Sequence, residues 1–167
     1  HLASSAASDV YKRQVNILND MDKDIQRLEL VADRFSKIGS PPKLTKQPLL
    51  PLVDKVVDYI SKRASSKVKV SMDNQTQNGL NVMMNTSLMD WVFENLMKNA
   101  LDAIENEGDL HVVVNESADL AIIEISDTGK GIPKSKFNTI FEPGFSTKKR
   151  GWGIGLTLVK RIVEQYH

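Results

Sequence analysis

Two apolar runs, DLHVVVNE and LAIIEIS, lie on either side of Ser117-Ala118-Asp119 and read as a β-hairpin. Directly before them, SLMDWVFENLMKNALDAIE reads as one long helix, capped by Thr86 or Ser87 and running to about Glu105. This helix-then-hairpin order most constrains the fold, because each element must bury its apolar side against the other kind. Other segments repeat the theme. Leu52, Val53, Val56, Val57 and Ile60 mark an amphipathic helix, Lys67–Met72 and Leu80–Met84 read as strands, and Leu156–Tyr166 as a final helix. Helices interleaved with antiparallel strands and no internal repeats predict an α+β sandwich of two layers.

A different pattern precedes this region. Leu18, Met21, Ile25, Leu28, Ala32 and Phe35 recur at gaps of 3 and 4, an a/d seam between Val15 and Ile38 that wants a partner helix. Gly39, Ser40, Pro41 and Pro42 stop it and mark a boundary. Residues 1–14, HLASSAASDVYKRQ, share no pattern with the rest of the chain and read as a non-native or disordered leader. A net charge of +1 in 167 residues gives no basic field for nucleic acid, and no apolar run is long enough to span or anchor in a membrane. The absence of cysteine excludes disulfides, thiol nucleophiles and thiolate metal sites, and fits a reducing compartment.

Three features carry chemistry. On the long helix Asn95, Asn99 and Asp102 fall at i, i+4 and i+7 and share a face, opposite Trp91, Leu96, Ala100 and Ile104. Asparagine is a poor interior helix residue, yet two amide oxygens beside a carboxylate suit a hard cation such as Mg²⁺; the plain alternative is a solvated face. In SDTGKGIP, Asp127 ends an apolar strand and Gly129 and Gly131 let the backbone turn and approach a ligand, although Asp-Thr-Gly also suits an ordinary turn. In KKRGWGIGL, Gly151, Gly153 and Gly155 alternate into a helix N-terminus, behind Lys148, Lys149 and Arg150. Such a terminus favours phosphate. FEPGFSTK between them has the composition of a mobile lid, with Phe141 and Phe145 in a Gly/Pro context. Neither the P-loop nor the dinucleotide fingerprint is present.

Taken in order, NLMKNALDA, DTGKGIP, FEPGFSTK and GWGIGL closely resemble the catalytic ATP-binding domain of sensor histidine kinases, within the superfamily of gyrase, Hsp90 and MutL ATPases. The resemblance covers about residues 43–167 and implies the two-layer Bergerat fold. It implies that the helix at 15–40 is the second helix of the dimerisation and phosphotransfer hairpin, and that ATP binds with Mg²⁺. Asn99 matches the magnesium asparagine, Asn95 its partner near the phosphates, with Asp102 on the same face; these asparagines are the implied catalytic pair. Asp127 matches the aspartate that accepts from the adenine amino group, Gly129 and Gly131 shape its turn, and Ile132 packs near the base. Phe141 and Phe145 anchor the lid, Thr147 and Lys148 reach phosphate, and Gly153, Gly155 and Leu156 line the triphosphate. On that reading, the group approaching the glycines is the triphosphate. The partners implied are ATP, a second copy through helix 15–38, and a response regulator, with the chain on the cytoplasmic side of a two-component sensor.

Gyrase-type ATPases place a water-activating glutamate four residues before the magnesium asparagine. Here that position is Asn95, and Glu94 points about 100° away, which favours phosphoryl transfer to a protein over hydrolysis. His1, His111 and His167 are the only histidines and none has an acidic sequence neighbour, so the phosphoacceptor is expected to be absent. The sheet is expected to be C-terminally truncated with an exposed edge. The alternatives are a related ATPase or anti-sigma-type serine kinase, and an inert dimerisation module.

Overall fold

The structure, a computed structural model, describes residues 42–76, 79–118, 120–148 and 151–166, with residues 11, 14–19, 21, 22 and 25. The chain divides into two compact units between Pro42 and Lys43. In the first, the described residues 11, 14–19, 21, 22 and 25 are helical, and the seam positions Leu18, Met21 and Ile25 are exposed. Leu28, Ala32, Phe35 and the Gly39–Pro41 stop lie outside the described residues, as do residues 1–10.

The second unit runs β1 (Thr45–Pro48), α1 (Leu50–Arg63), β2 (Val68–Asn74), β3 (Asn81–Met84), α2 (Thr86–Ala103), β4 (Gly108–Ser117), β5 (Leu120–Asp127), a 3-10 turn (Lys134–Lys136) and α3 (Gly155–Tyr166). β1 pairs antiparallel with β3, from Thr45 opposite Met84 to Pro48 opposite Asn81. The other sheet has the order β2-β4-β5. Its β4–β5 hairpin is antiparallel as expected, and Ser117 pairs with Leu120 across a tight connection that drives Ala118 to φ 52. The β2–β4 pair is not antiparallel: Val68 to Asn74 run parallel to Gly108 to Val114. The segment between these strands contains α2, a crossover long enough to return the chain in the same direction. β1 gave no sequence signal. TKQP is four residues long and holds a proline, which a short edge pairing tolerates.

Helices cover one face of the strands. Leu110, Val112 and Val114 alternate inward from β4 and are buried, as are Leu52, Val53, Val56 and Ile60 of α1, the inner stripe of α2, and Leu158, Val159 and Ile162 of α3. That α2 stripe is Leu88, Met89, Val92, Phe93, Met97 and Ala100, with Ile104 buried just past its end. It differs from the expected stripe: Trp91 and Leu96 are only half-buried. α2 packs between α1 and α3 as well as on the sheet, so its buried arc is broader and rotated. Its cap is also one residue earlier than expected. Asn85 Oδ1 accepts from the Leu88 amide at 3.1 Å, leaving Thr86 and Ser87 inside the first turn.

Met97 is fully buried at the centre of this stack, whereas its neighbour Lys98 is exposed. Met97→Ala should lower unfolding free energy by about 2–5 kcal/mol through the cavity it leaves. Lys98→Ala should stay within about 0.5 kcal/mol. Urea unfolding midpoints at unchanged slope check both.

Candidate functional site

The expected residues of α2 do share a polar face. Asn99 Nδ2 donates to Asn95 Oδ1 at 3.2 Å, one turn away. That bond fixes which end of the Asn99 amide is used internally and leaves its oxygen as an acceptor. The Asn99 Oδ1 accepts from Lys148 Nζ at 2.8 Å, and Asp102 Oδ2 accepts from the same ammonium at 2.6 Å. Two hard oxygens therefore converge on one positive charge. Lys148 and Asp102 are each about half exposed, at 47% and 45%, so water screens the pair and it contributes at most about 1 kcal/mol.

The turn after β5 docks on the far end of the same helix. Gly129 N donates to Asp127 Oδ1 at 2.8 Å, and Lys130 N donates to the Ala103 carbonyl at 3.1 Å. A Cβ on Gly129 would stand 2.6 Å from that carbonyl, so the turn fits only because the side chain is missing. Asp127 thus stabilises its own turn through one oxygen and keeps a second acceptor oxygen. Gly131 takes φ +67 in open space, and Ile132 beyond it is exposed. A concavity of about 580 Å³ beside this turn is bounded by Lys67, Ala103, Glu105, Thr128, Gly129 and Lys130. Of the expected site residues, only Gly129 is among those lining it.

The described residues between Phe137 and Ile154 reach the α2 face through Lys148. Gly144 N donates to Gly153 O at 3.0 Å, and Thr157 Oγ1 donates to Phe141 O at 2.9 Å, tying both ends of the loop to the start of α3. Phe145 packs under the Lys136 ammonium and Phe141 under that of Lys160, each 5.6 Å from the ring centre. Ser146 Oγ accepts from the Lys148 amide at 3.1 Å. Thr147 is exposed, Leu156 lies half-buried in the first turn of α3, and Lys149 and Arg150 lie outside the described residues.

The three alternating glycines acquire a physical reason within the protein itself. A side chain at Gly151 would collide with Ser146, and one at Gly153, which sits at φ +66, would land on the backbone of Gly144 and Phe145. A Cβ at Gly155 would stand 2.9 Å from the Asn95 amide. The approaching groups in this structure are the protein's own. α3 also begins at Gly155 rather than Leu156.

His111 has no acidic neighbour in sequence, but in space Asp73 Oδ2 lies 3.4 Å from its Nε2, and Ser71 Oγ 2.9 Å from its Nδ1. The parallel register sets Ser71 directly opposite His111, a pairing that the antiparallel expectation could not supply. This group sits on the sheet face away from the helices, since Leu110 and Val112 on either side point inward. Ser146 and Thr157 were also missed. Ser146 had a signal, a serine just before a cation run and a glycine, whereas Thr157 had none. Among the described residues, no group of three or more His, Asp or Glu could hold a metal. None of their helices is long and apolar enough to cross a membrane.

Residues 84–167 match the family of histidine kinase-, DNA gyrase B- and HSP90-like ATPases, and the chain belongs to it. It is 31% identical over 149 residues to the sensor histidine kinase ZraS of Salmonella typhimurium, covering 87% of this chain and 32% of that protein. It is 25% identical over 146 residues to sporulation kinase C of Bacillus subtilis, covering 86% and 34%. The chain thus spans about a third of the length of these relatives. Among solved structures, the catalytic domain of histidine kinase ThkA superposes with a TM-score of 0.68 at 23% identity, over 74% of this chain and 82% of that one. Full-length ShkA in complex with AMPPNP also gives 0.68 at 23%, over 83% and 31%. The two-layer fold is that of histidine kinase catalytic domains.

Gly131 and Gly153 provide a matched pair, with the same positive φ but open space at one and backbone at the other. Gly131→Ala should cost about 1–2 kcal/mol, the left-handed penalty alone. Gly153→Ala should cost about 1–3 kcal/mol more, because a packed backbone must also move. Thermal unfolding of the two variants measures the difference.

Proposed function

We propose that this chain is the ATP-binding catalytic region of a two-component sensor histidine kinase, moving the γ-phosphoryl group of ATP to a histidine carried on a separate helical hairpin. The observation that carries the reading is the convergence of Asn99 Oδ1 and Asp102 Oδ2 on one cation. It occurs on the helix whose far end holds the Asp127 turn, in a fold of this family. An amide oxygen and a carboxylate that already grip one cation have the donor chemistry a magnesium ion takes. Asn99 would hold that ion with Asn95 bracing its amide, and bound there it would neutralise phosphate charge. Asp127 would accept from the adenine amino group through its second oxygen, with Ile132 against the base and Gly129 and Gly131 shaping the turn. Thr147 and Lys148 would meet the phosphates from the loop, and Gly153, Gly155 and Leu156 would flank the triphosphate.

In the transfer, the bond from the γ-phosphorus to the β,γ-bridging oxygen breaks, a bond to an imidazole nitrogen forms, and ADP leaves with the electron pair. Catalysis rests on positioning and charge neutralisation, because such a transition state asks little covalent chemistry of the protein. Asn95 occupies the place where a hydrolysing relative carries its glutamate, which favours a protein acceptor over water. In the parent protein the helix at 15–38 would pair with a second copy, the unit would lie on the cytoplasmic side, and a response regulator would receive the phosphoryl group.

Calorimetric titration with a non-hydrolysable ATP analogue tests the site. The parent should bind more tightly with Mg²⁺ than without. Asp127→Asn should lose about 1–3 kcal/mol, the size of a buried hydrogen-bond partner lost. Asn99→Ala should erase the magnesium dependence. A folded parent that binds no nucleotide would contradict the proposal.

A further inference from the structure

We infer that Lys148 is a latch: its ammonium holds the loop against α2 on the Asn99 amide oxygen that the metal–nucleotide requires, so ligand entry must displace it. The inference rests on the nucleotide reading for the identity of that ligand, but the latch itself stands on the contacts alone.

Lys148 joins segments 46 and 49 residues apart, donating to Asp102 and Asn99. Within the described residues 141–148, it is where the loop hydrogen-bonds to α2. Elsewhere the described loop residues bond to one another and to α3, where Thr157 Oγ1 donates to Phe141 O. Gly144 N bonds Gly153 O, Gly151 N bonds Lys148 O, and Lys148 N bonds Ser146 Oγ. Releasing one ammonium therefore frees the loop from α2 while Phe141 stays tied to α3 through Thr157, the behaviour of a hinged lid on a catch rather than of a chain that must unfold.

Competition arises from distance. A magnesium ion sits about 2.0–2.1 Å from an oxygen ligand, and the Lys148 ammonium already stands 2.8 Å from Asn99 Oδ1. Two cations on one amide oxygen would lie within a few ångströms and repel, so only one holds it at a time. Once displaced, the same ammonium is free to meet the phosphates that arrive with the metal. A single side chain would thus hold the lid before binding and clamp the ligand after it, and the two states exclude each other. Asp102 is then the positioning residue that supplies the latch's carboxylate.

Hydrogen exchange of the amides of Gly144, Phe145, Lys148 and Gly151, without metal or nucleotide, reads the latch directly. Lys148→Met and Asp102→Asn should each speed exchange there by about two- to fivefold, the scale of a half-exposed ion pair, with the core amides unchanged. Unchanged exchange in either variant overturns the latch, because it needs both partners. Stopped-flow association of a fluorescent ADP analogue with Mg²⁺ gives a second reading. Lys148→Met should associate about three- to tenfold faster and also dissociate faster. Slower or equal association with faster dissociation would make Lys148 a phosphate contact only and overturn the latch. If the parent binds no nucleotide, the functional proposal fails while the exchange result still decides the latch.

Discussion

The site depends on how closely two backbones approach one helix. At its C-terminal end α2 carries the Gly129 turn, where an added Cβ would stand 2.6 Å from the Ala103 carbonyl; midway, a Cβ on Gly155 would stand 2.9 Å from the Asn95 amide. A single methyl at either place would push a wall of the site outward. α2 can serve as this reference because its other faces are committed: Val92, Phe93 and Met97 are buried, between α1 and α3 and over the sheet. Close packing transmits small displacements, so the polar face is held by the same contacts that hold the core.

Electrostatics then act on a prepared surface. Asn95 and Asn99 are half-buried and bonded to each other, which fixes the amide orientations that an isolated helix face would leave free. Asp102 and Lys148 are half exposed, and their bond is weak enough to exchange for another partner. The arrangement thus separates a rigid part, set by packing, from a replaceable part, set by charge. A site that must admit a highly charged ligand and then close over it needs both.

Much of this was legible in the sequence because the relevant signals are local. The i, i+4, i+7 face of Asn95, Asn99 and Asp102 is a consequence of helix geometry, and the apolar runs around residues 117–119 marked the hairpin. What was not legible is non-local. The parallel pairing of β2 with β4, and with it the meeting of Ser71, Asp73 and His111, depends on where a crossover returns. β1 is four residues with a proline and exists through its pairing with β3. The glycines were legible as close approaches, but the partner was not: pattern reads that something lies near Gly153, and only the fold says that it is Gly144 and Phe145. The Lys148–Asp102 bond, 46 residues apart, carries no sequence signal at all.

Transfer of a phosphoryl group to histidine rather than to water is the property on which the functional reading turns. Its most direct measurement supplies γ-labelled ATP, Mg²⁺ and a helical hairpin bearing an acceptor histidine in trans, and follows label on the hairpin. Acid-labile, alkali-stable phosphate should appear on the hairpin, and should be lost when the acceptor histidine is replaced and when Asn99 is changed to alanine. Release of inorganic phosphate with no label on the hairpin would contradict the reading.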